Sequence, residues 1–140
     1  GIPPMAQLTE QDILSAHGDD YMNADQMEFF KERLLQMQQE LISNADATTN
    51  HLQEQEATPD PADRATLEEE YALELRTRDR ERKLLQKIQS TLKKIEDGSY
   101  GYCEDTGEPI GVKRLLARPT ATLTVEAQER RERMKKQFAD

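Results

Sequence analysis

The sequence predicts a mainly α protein: a long antiparallel coiled-coil hairpin on a small globular base, the base holding a degenerate, metal-free zinc-ribbon-like module and a C-terminal helix. Three observations lead there. Residues 23–56 and 63–97 contain neither glycine nor proline and repeat apolar side chains at steps of three and four. Between them lies TPDPADRAT, residues 58–66, where Pro59 and Pro61 remove backbone donors and deny helix to the residues before them. Residues 98–124 are instead rich in Gly, Pro, Thr and aromatics. Two helices joined by so short a link are most cheaply placed side by side and antiparallel, which makes 58–66 the tip.

Composition fits this reading. Charged residues make up 34%, apolar residues 35% and aromatics 5%, too little apolar area for a large round core but enough for a narrow seam. A net charge of −9 argues against direct binding to a nucleic-acid backbone, which needs clustered cations. No apolar run is long enough to span a membrane, the N-terminus lacks the layout of a secretory signal, and one cysteine cannot build a disulfide framework, so a cytoplasmic protein is expected. Residues 1–4, ahead of Met5, read as a tag remnant.

In chain order, residues 5–23 are sparse in apolar side chains and predict a short helix or turn followed by a loop, which joins 98–124 in the base. Asn23 is a good helix cap, and Asp25 and Glu28 suit a helix start. The first arm then carries Met27, Phe30, Leu34, Met37 and Leu41 on its seam, continued by the polar Asn44, Thr48, His51 and Gln55. That polar half is either a solvated end or a surface shaped for a partner. The second arm carries Leu67, Tyr71, Glu74, Arg78 and Glu81, then Leu85, Ile88, Leu92 and Ile95. Folding at the tip should set 85–95 against 27–37, with 24–97 as the hairpin and each arm about 50 Å long. Gly98 sits where a C-cap glycine belongs. Residues 125–140 return to helical composition, and Arg130, Arg131, Arg133, Lys135 and Lys136 crowd near the end, as suits a helix dipole.

Three constellations could carry function. At the tip, Asp60 before Pro61, with Asp63 three residues on, is the pattern of a helix cap, but the pair could also meet a metal ion or a basic surface. In the base, Cys103, Thr106, Thr124 and Ala127 have the C-x2-C-x17-C-x2-C spacing of a four-thiolate zinc site with three of four cysteines replaced. Hydroxyls and a methyl cannot supply the soft charge zinc selects, so no metal is expected. The module should then be packed by Tyr100, Tyr102, Ile110, Val112, Leu115, Leu123 and Val125. Glu104 and Asp105 are expected to raise the Cys103 pKa, leaving it a packed side chain rather than a catalytic thiol. On the second arm, Arg80, Lys83 and Lys87 form a stripe, with Arg118 further on, read either as helical salt pairs or as an anion site.

With DPADRAT at the tip, RTRDRERKLLQKI on the second arm, TLKKIEDGSYGYCEDTGEPIGVKRL at the junction and ARPTA after it, the chain resembles the DksA transcription factor family over residues 23 to about 125. It is most similar to the cysteine-poor, zinc-independent members. The resemblance implies a bacterial, non-enzymatic regulator, expected to be a monomer. It would bind RNA polymerase without binding DNA, insert its coiled coil through the secondary channel and, with the alarmone ppGpp as co-effector, destabilise open promoter complexes. Ribosomal RNA promoters would be repressed and some amino-acid promoters activated. By matching position, the tip residues fall on Asp60, Asp63 and Ala65, polymerase binding on Arg80 and the alarmone contacts on Lys87 and Arg118. Gln128 replaces a lysine of the family's alarmone site, and the zinc ligands transfer only as Cys103. The alternatives are a Gre-like cleavage factor holding magnesium at its tip acids and a plain chaperone-like hairpin.

Overall fold

The structure, a computed structural model, describes residues 8–56 and 61–139, with side chains for 8–46 and 65–138. Among the described residues the chain is helical without a named strand: α1 Glu10–Ser15, a 3-10 turn Gly18–Asp20, α2 Ala24–Glu56, α3 Pro61–Asp97, α4 Val112–Ala117 and α5 Val125–Ala139. An antiparallel bridge joins Tyr102 and Pro109. No helix among the described residues is long and apolar enough to cross a membrane.

Several helix boundaries have a local cause. Thr9 and Asp12 close a reciprocal capping box on α1. Asn23 caps α2, its Oδ1 accepting from the Gln26 N–H at 2.9 Å. The Gln26 side chain, 2% exposed, is satisfied in turn by the Met22 N–H at 2.9 Å. α3 ends in a Schellman motif: Gly98, at φ +82°, donates to the Ile95 carbonyl, and the Ser99 N–H reaches back to the Lys94 carbonyl at 3.0 Å. Pro61 is the first residue of α3, where a missing N–H costs nothing. The short α4 inside the turn-rich module was not expected from the sequence.

The chain divides into two compact units, one taking in the chain up to Leu34 and from Thr91 onward, the other Leu35–Ser90. In the first, Ile13, Met22, Phe30, Tyr100, Cys103, Ile110, Leu115, Leu123 and Ala127 form one buried cluster. The Phe30 ring lies 5.6 Å from that of Tyr100, centroid to centroid. Two residues assigned to this core from the sequence belong to the surface instead. Val125, at the first position of α5, and Tyr102 are 46% and 40% exposed, while Ala127 and Ile13 fill the interior.

In the second unit the two long helices run as the arms of a hairpin. Leu41, Ile42, Ala45 and Asp46 of α2 line one groove with Leu75, Arg78, Asp79, Glu81, Arg82 and Leu85 of α3, pairing residues at similar distances from the connecting turn. The seam follows the expected register over most of its length: Met37, Leu41, Leu67, Tyr71, Glu74, Glu81 and Leu85 are half-buried and Ile88 fully buried. It departs at two places. Asn44 is exposed and Ala45 takes the inward position, because a step of four from Leu41 lands equally well on that face and puts a methyl rather than an amide there. Arg78 is exposed, its long side chain lying at the groove edge. Thr48, His51 and Gln55 have side chains outside the described residues.

Phe30→Ala, which empties a fully buried position, should cost about 3–5 kcal/mol in urea unfolding. Leu73→Ala, at a site 55% exposed, should stay within about 0.5 kcal/mol.

Candidate functional site

The base is built around the turn that carries Cys103. The Cys103 N–H donates to the Glu108 carbonyl at 2.8 Å and the Gly107 N–H to the Cys103 carbonyl at 2.9 Å, closing the turn. Tyr21 ties it to the N-terminal segment: its hydroxyl donates to the Gly101 carbonyl and accepts from the Gly111 N–H at 3.0 Å. Gly101, at φ +94°, has no room for a side chain, since a Cβ there would stand 2.6 Å from Met22 Cγ. On the far side the Tyr100 hydroxyl donates to the Pro119 carbonyl at 2.8 Å, and Arg114 Nε to the Leu123 carbonyl at 2.8 Å.

The four positions with zinc-site spacing do come together, and their chemistry does not fit a zinc ion. Cys103 is 4% exposed, and its sulfur accepts from the Thr124 N–H at 3.4 Å and lies 3.8 Å from the Thr124 hydroxyl. The Thr124 hydroxyl accepts from the Ala127 N–H at 3.2 Å, while the Thr124 carbonyl takes the Gln128 N–H at 2.9 Å, so Thr124 is the N-cap of α5. Ala127 presents a methyl, fully buried. Thr106 Oγ1 accepts from the Glu108 N–H at 3.2 Å. One thiol, two hydroxyls already engaged and a methyl make no four-thiolate set.

The Cys103 thiol departs from the sequence expectation. Burial does oppose its ionisation, but the Thr106 hydroxyl and the N–H groups of Thr124, Thr106 and Asp105 outweigh it and bring the pKa down to about 6 from an ordinary 9.0. The acidic neighbours were expected to raise it. The Thr106 hydroxyl and then the backbone N–H groups aimed at the sulfur decide the sign, and residue type does not display their direction.

Around this turn lie two ion pairs that the sequence reading did not find. Arg131 of α5 grips Asp105 with two donors, Nε to Oδ2 at 2.8 Å and a terminal nitrogen to Oδ1. Lys94, in the last turn of α3, pairs with Glu104. The basic run on α5 thus contains one residue with a specific partner beyond the helix dipole. Its sequence signal, a cation one turn past a buried alanine, is too common to stand out.

The sites expected on the second arm fall as follows. Arg80 and Lys87 are exposed in the Leu35–Ser90 unit, and Lys83 Nζ lies 3.2 Å from Asp79 Oδ2. Asp79 also takes Arg82 at 2.6 Å, and hydrogen bonds from Arg82 and then Lys83 hold its carboxyl below the usual range. Lys83 is therefore a salt-pair residue. Arg118, in the other unit, is exposed at the end of α4, its N–H on the Arg114 carbonyl at 2.7 Å. At the tip, Ala65 is exposed; Asp60 and the Asp63 side chain lie outside the described residues.

Comparison with known proteins covers nearly the whole chain. The family model described as the N-terminal domain of DnaK suppressor protein DksA matches residues 26–95, and the prokaryotic dksA/traR C4-type zinc finger matches 98–133. The chain is 52% identical over 134 residues to an RNA polymerase-binding transcription factor DksA of Caulobacter vibrioides, covering 95% of this chain and 94% of that one. It is 49% identical over 123 residues to the protein of that name from Escherichia coli K12, covering 87% and 82%. The solved structure of transcription factor DksA2 from Pseudomonas aeruginosa superimposes with a TM-score of 0.83 at 43% identity, over 91% of this chain and 99% of that one.

The lowered thiol pKa carries a pH dependence. A group whose folded pKa lies below its unfolded value adds stability that is fully present above the unfolded pKa and is lost as pH falls through the folded one. Stability should therefore decline as pH drops from about 9 to about 6. Cys103→Ser should flatten that part of a urea-midpoint-against-pH profile, and Thr124→Ala should cut the slope while also costing about 1 kcal/mol for the lost cap.

Proposed function

The chain belongs to the DksA family, and we propose that it is an RNA polymerase-binding transcription regulator whose helical hairpin enters the secondary channel and acts at its tip near the catalytic centre. Family membership makes it a transcription factor and not an enzyme. The observation that carries the reading is the 52% identity to a named RNA polymerase-binding factor over 95% of the chain, with the hairpin and the base each matched by a model of the same family.

In this proposal Asp60, Asp63 and Ala65 are the residues delivered to the active centre, and Arg80, exposed on α3, contacts the polymerase. Lys87 and Arg118, both exposed, contribute to a ppGpp contact shared with the polymerase. ppGpp is a co-effector there, and the protein alone binds no cofactor. Gln128, half-buried and donating to Glu132 at 3.2 Å, offers no cation at its position, which favours weaker alarmone coupling than in members with lysine there. The protein works as a cytoplasmic monomer without touching DNA, consistent with its net charge of −9.

Mechanistically the action is a shift between promoter states. A tip that binds the polymerase more favourably in a closed or unstable complex than in the open one shortens the life of the open complex, and a few kcal/mol of difference suffices. In this proposal ribosomal RNA promoters respond by repression and some amino-acid promoters by activation. The base does its part without zinc, since its turn is closed by hydrogen bonds and packing that require no thiolate beyond Cys103.

Asp63→Asn should leave binding to RNA polymerase intact and reduce the shortening of open-complex lifetime on a ribosomal RNA promoter by roughly tenfold, about 1.4 kcal/mol of differential binding. Undiminished inhibition at equal polymerase occupancy would contradict a role for this carboxylate.

A further inference from the structure

A four-thiolate site ties its turn to the following helix through one dication. Here the turn holds one thiol and two carboxylates, Glu104 and Asp105, and a unit cation pairs with each carboxylate. Arg131 lies one helical turn beyond Ala127, on the same face of α5 as that fully buried alanine, so its side chain is directed back to the turn. It makes a two-pronged contact with Asp105, the geometry in which a guanidinium is both strongest and most restrictive. Lys94 approaches Glu104 from the last turn of α3. The turn is also joined to the segment ahead of α5 by the Glu104 N–H on the Thr122 carbonyl at 2.9 Å, while its link to the α5 cap itself is a longer hydrogen bond to sulfur, 3.4 Å from the Thr124 N–H.

We infer that Arg131 and Lys94 replace the metal electrostatically, Arg131 fastening α5 and Lys94 fastening α3 to the Cys103–Glu108 turn, so that the seating of α5 responds to ionic strength. The inference rests on the metal-free reading of the base. Asp105 sits low in the carboxylate range because of Arg131, first through the hydrogen bonds and then through charge. Arg131 is held further in its charged state by Asp105, Glu104 and Cys103. The Arg131 side chain is 51% exposed and that of Asp105 29%, which leaves the pair open to screening by salt.

The test is amide hydrogen exchange on the full chain at about 25 mM and about 500 mM salt, either side of the range where surface pairs are screened. Peptides covering α5 and, as an internal reference, the Phe30–Leu34 stretch of α2 report it. Salt should raise α5 exchange about threefold in the wild type. Arg131→Gln and Asp105→Asn should reach that level at low salt and lose the salt response, while the swapped pair Asp105→Arg with Arg131→Asp recovers most of it. Phe30–Leu34 should not change. Wild-type protection and salt response in Arg131→Gln would overturn the fastening, as would a loss spreading equally to Phe30–Leu34. Metal content of the same samples separates the two ideas: stoichiometric zinc overturns the metal-free reading and the replacement with it, whereas an unresponsive α5 in a zinc-free sample overturns the replacement alone.

Discussion

One thiol stands where a metal would need four, and the base of this protein is arranged around that shortage. Closing the turn falls to groups that need no metal: the Thr106 hydroxyl and backbone N–H dipoles aimed at the Cys103 sulfur, a threonine that caps α5 while reaching the same sulfur, and an apolar cluster that includes the fully buried Ala127. The two hydroxyl replacements keep hydrogen-bonding roles, and the methyl replacement becomes core. The outcome is a base in which positions with zinc-site spacing are divided between capping and packing.

The long helices depend on this unit at their ends. α2 leaves it from Asn23 through the buried Gln26, Phe30 and Leu34, and α3 returns to it through Thr91 and Ile95 before the Gly98 cap. Tyr21 and Tyr100, joined to backbone carbonyls at Gly101 and Pro119, hold the turn-rich segment against those ends. Within this unit Phe30, Leu34 and Thr91, each no more than 3% exposed, fix the ends of the two long helices.

Local rules made much of this legible. Asn23, Pro61 and Gly98 mark helix boundaries through capping chemistry that acts within a few residues, and the apolar seam follows from helical period alone. What could not be read depended on contacts across the chain. The step from Leu41 to Ala45 in place of Asn44 was a choice between two positions on one face. Tyr102 and Val125 looked like core by residue type, yet the interior was filled by Ile13 of α1 and by Ala127, two residues further along the same helix as Val125. The sign of the Cys103 shift depended on the Thr106 hydroxyl and on amides whose direction is set by the folded turn. Arg131 and Asp105 are 26 residues apart, so their pairing exists only once α5 is in place. The tip was legible as a motif, through DPADRAT, but its acidic side chains lie outside the described residues.

The central claim is that a base closed without metal supports a hairpin that engages RNA polymerase. The most direct measurement is the affinity of the purified protein for RNA polymerase before and after exhaustive treatment with a zinc chelator. The account predicts equal affinity, with no gain on adding zinc back. Binding lost on chelation and restored by zinc would contradict it.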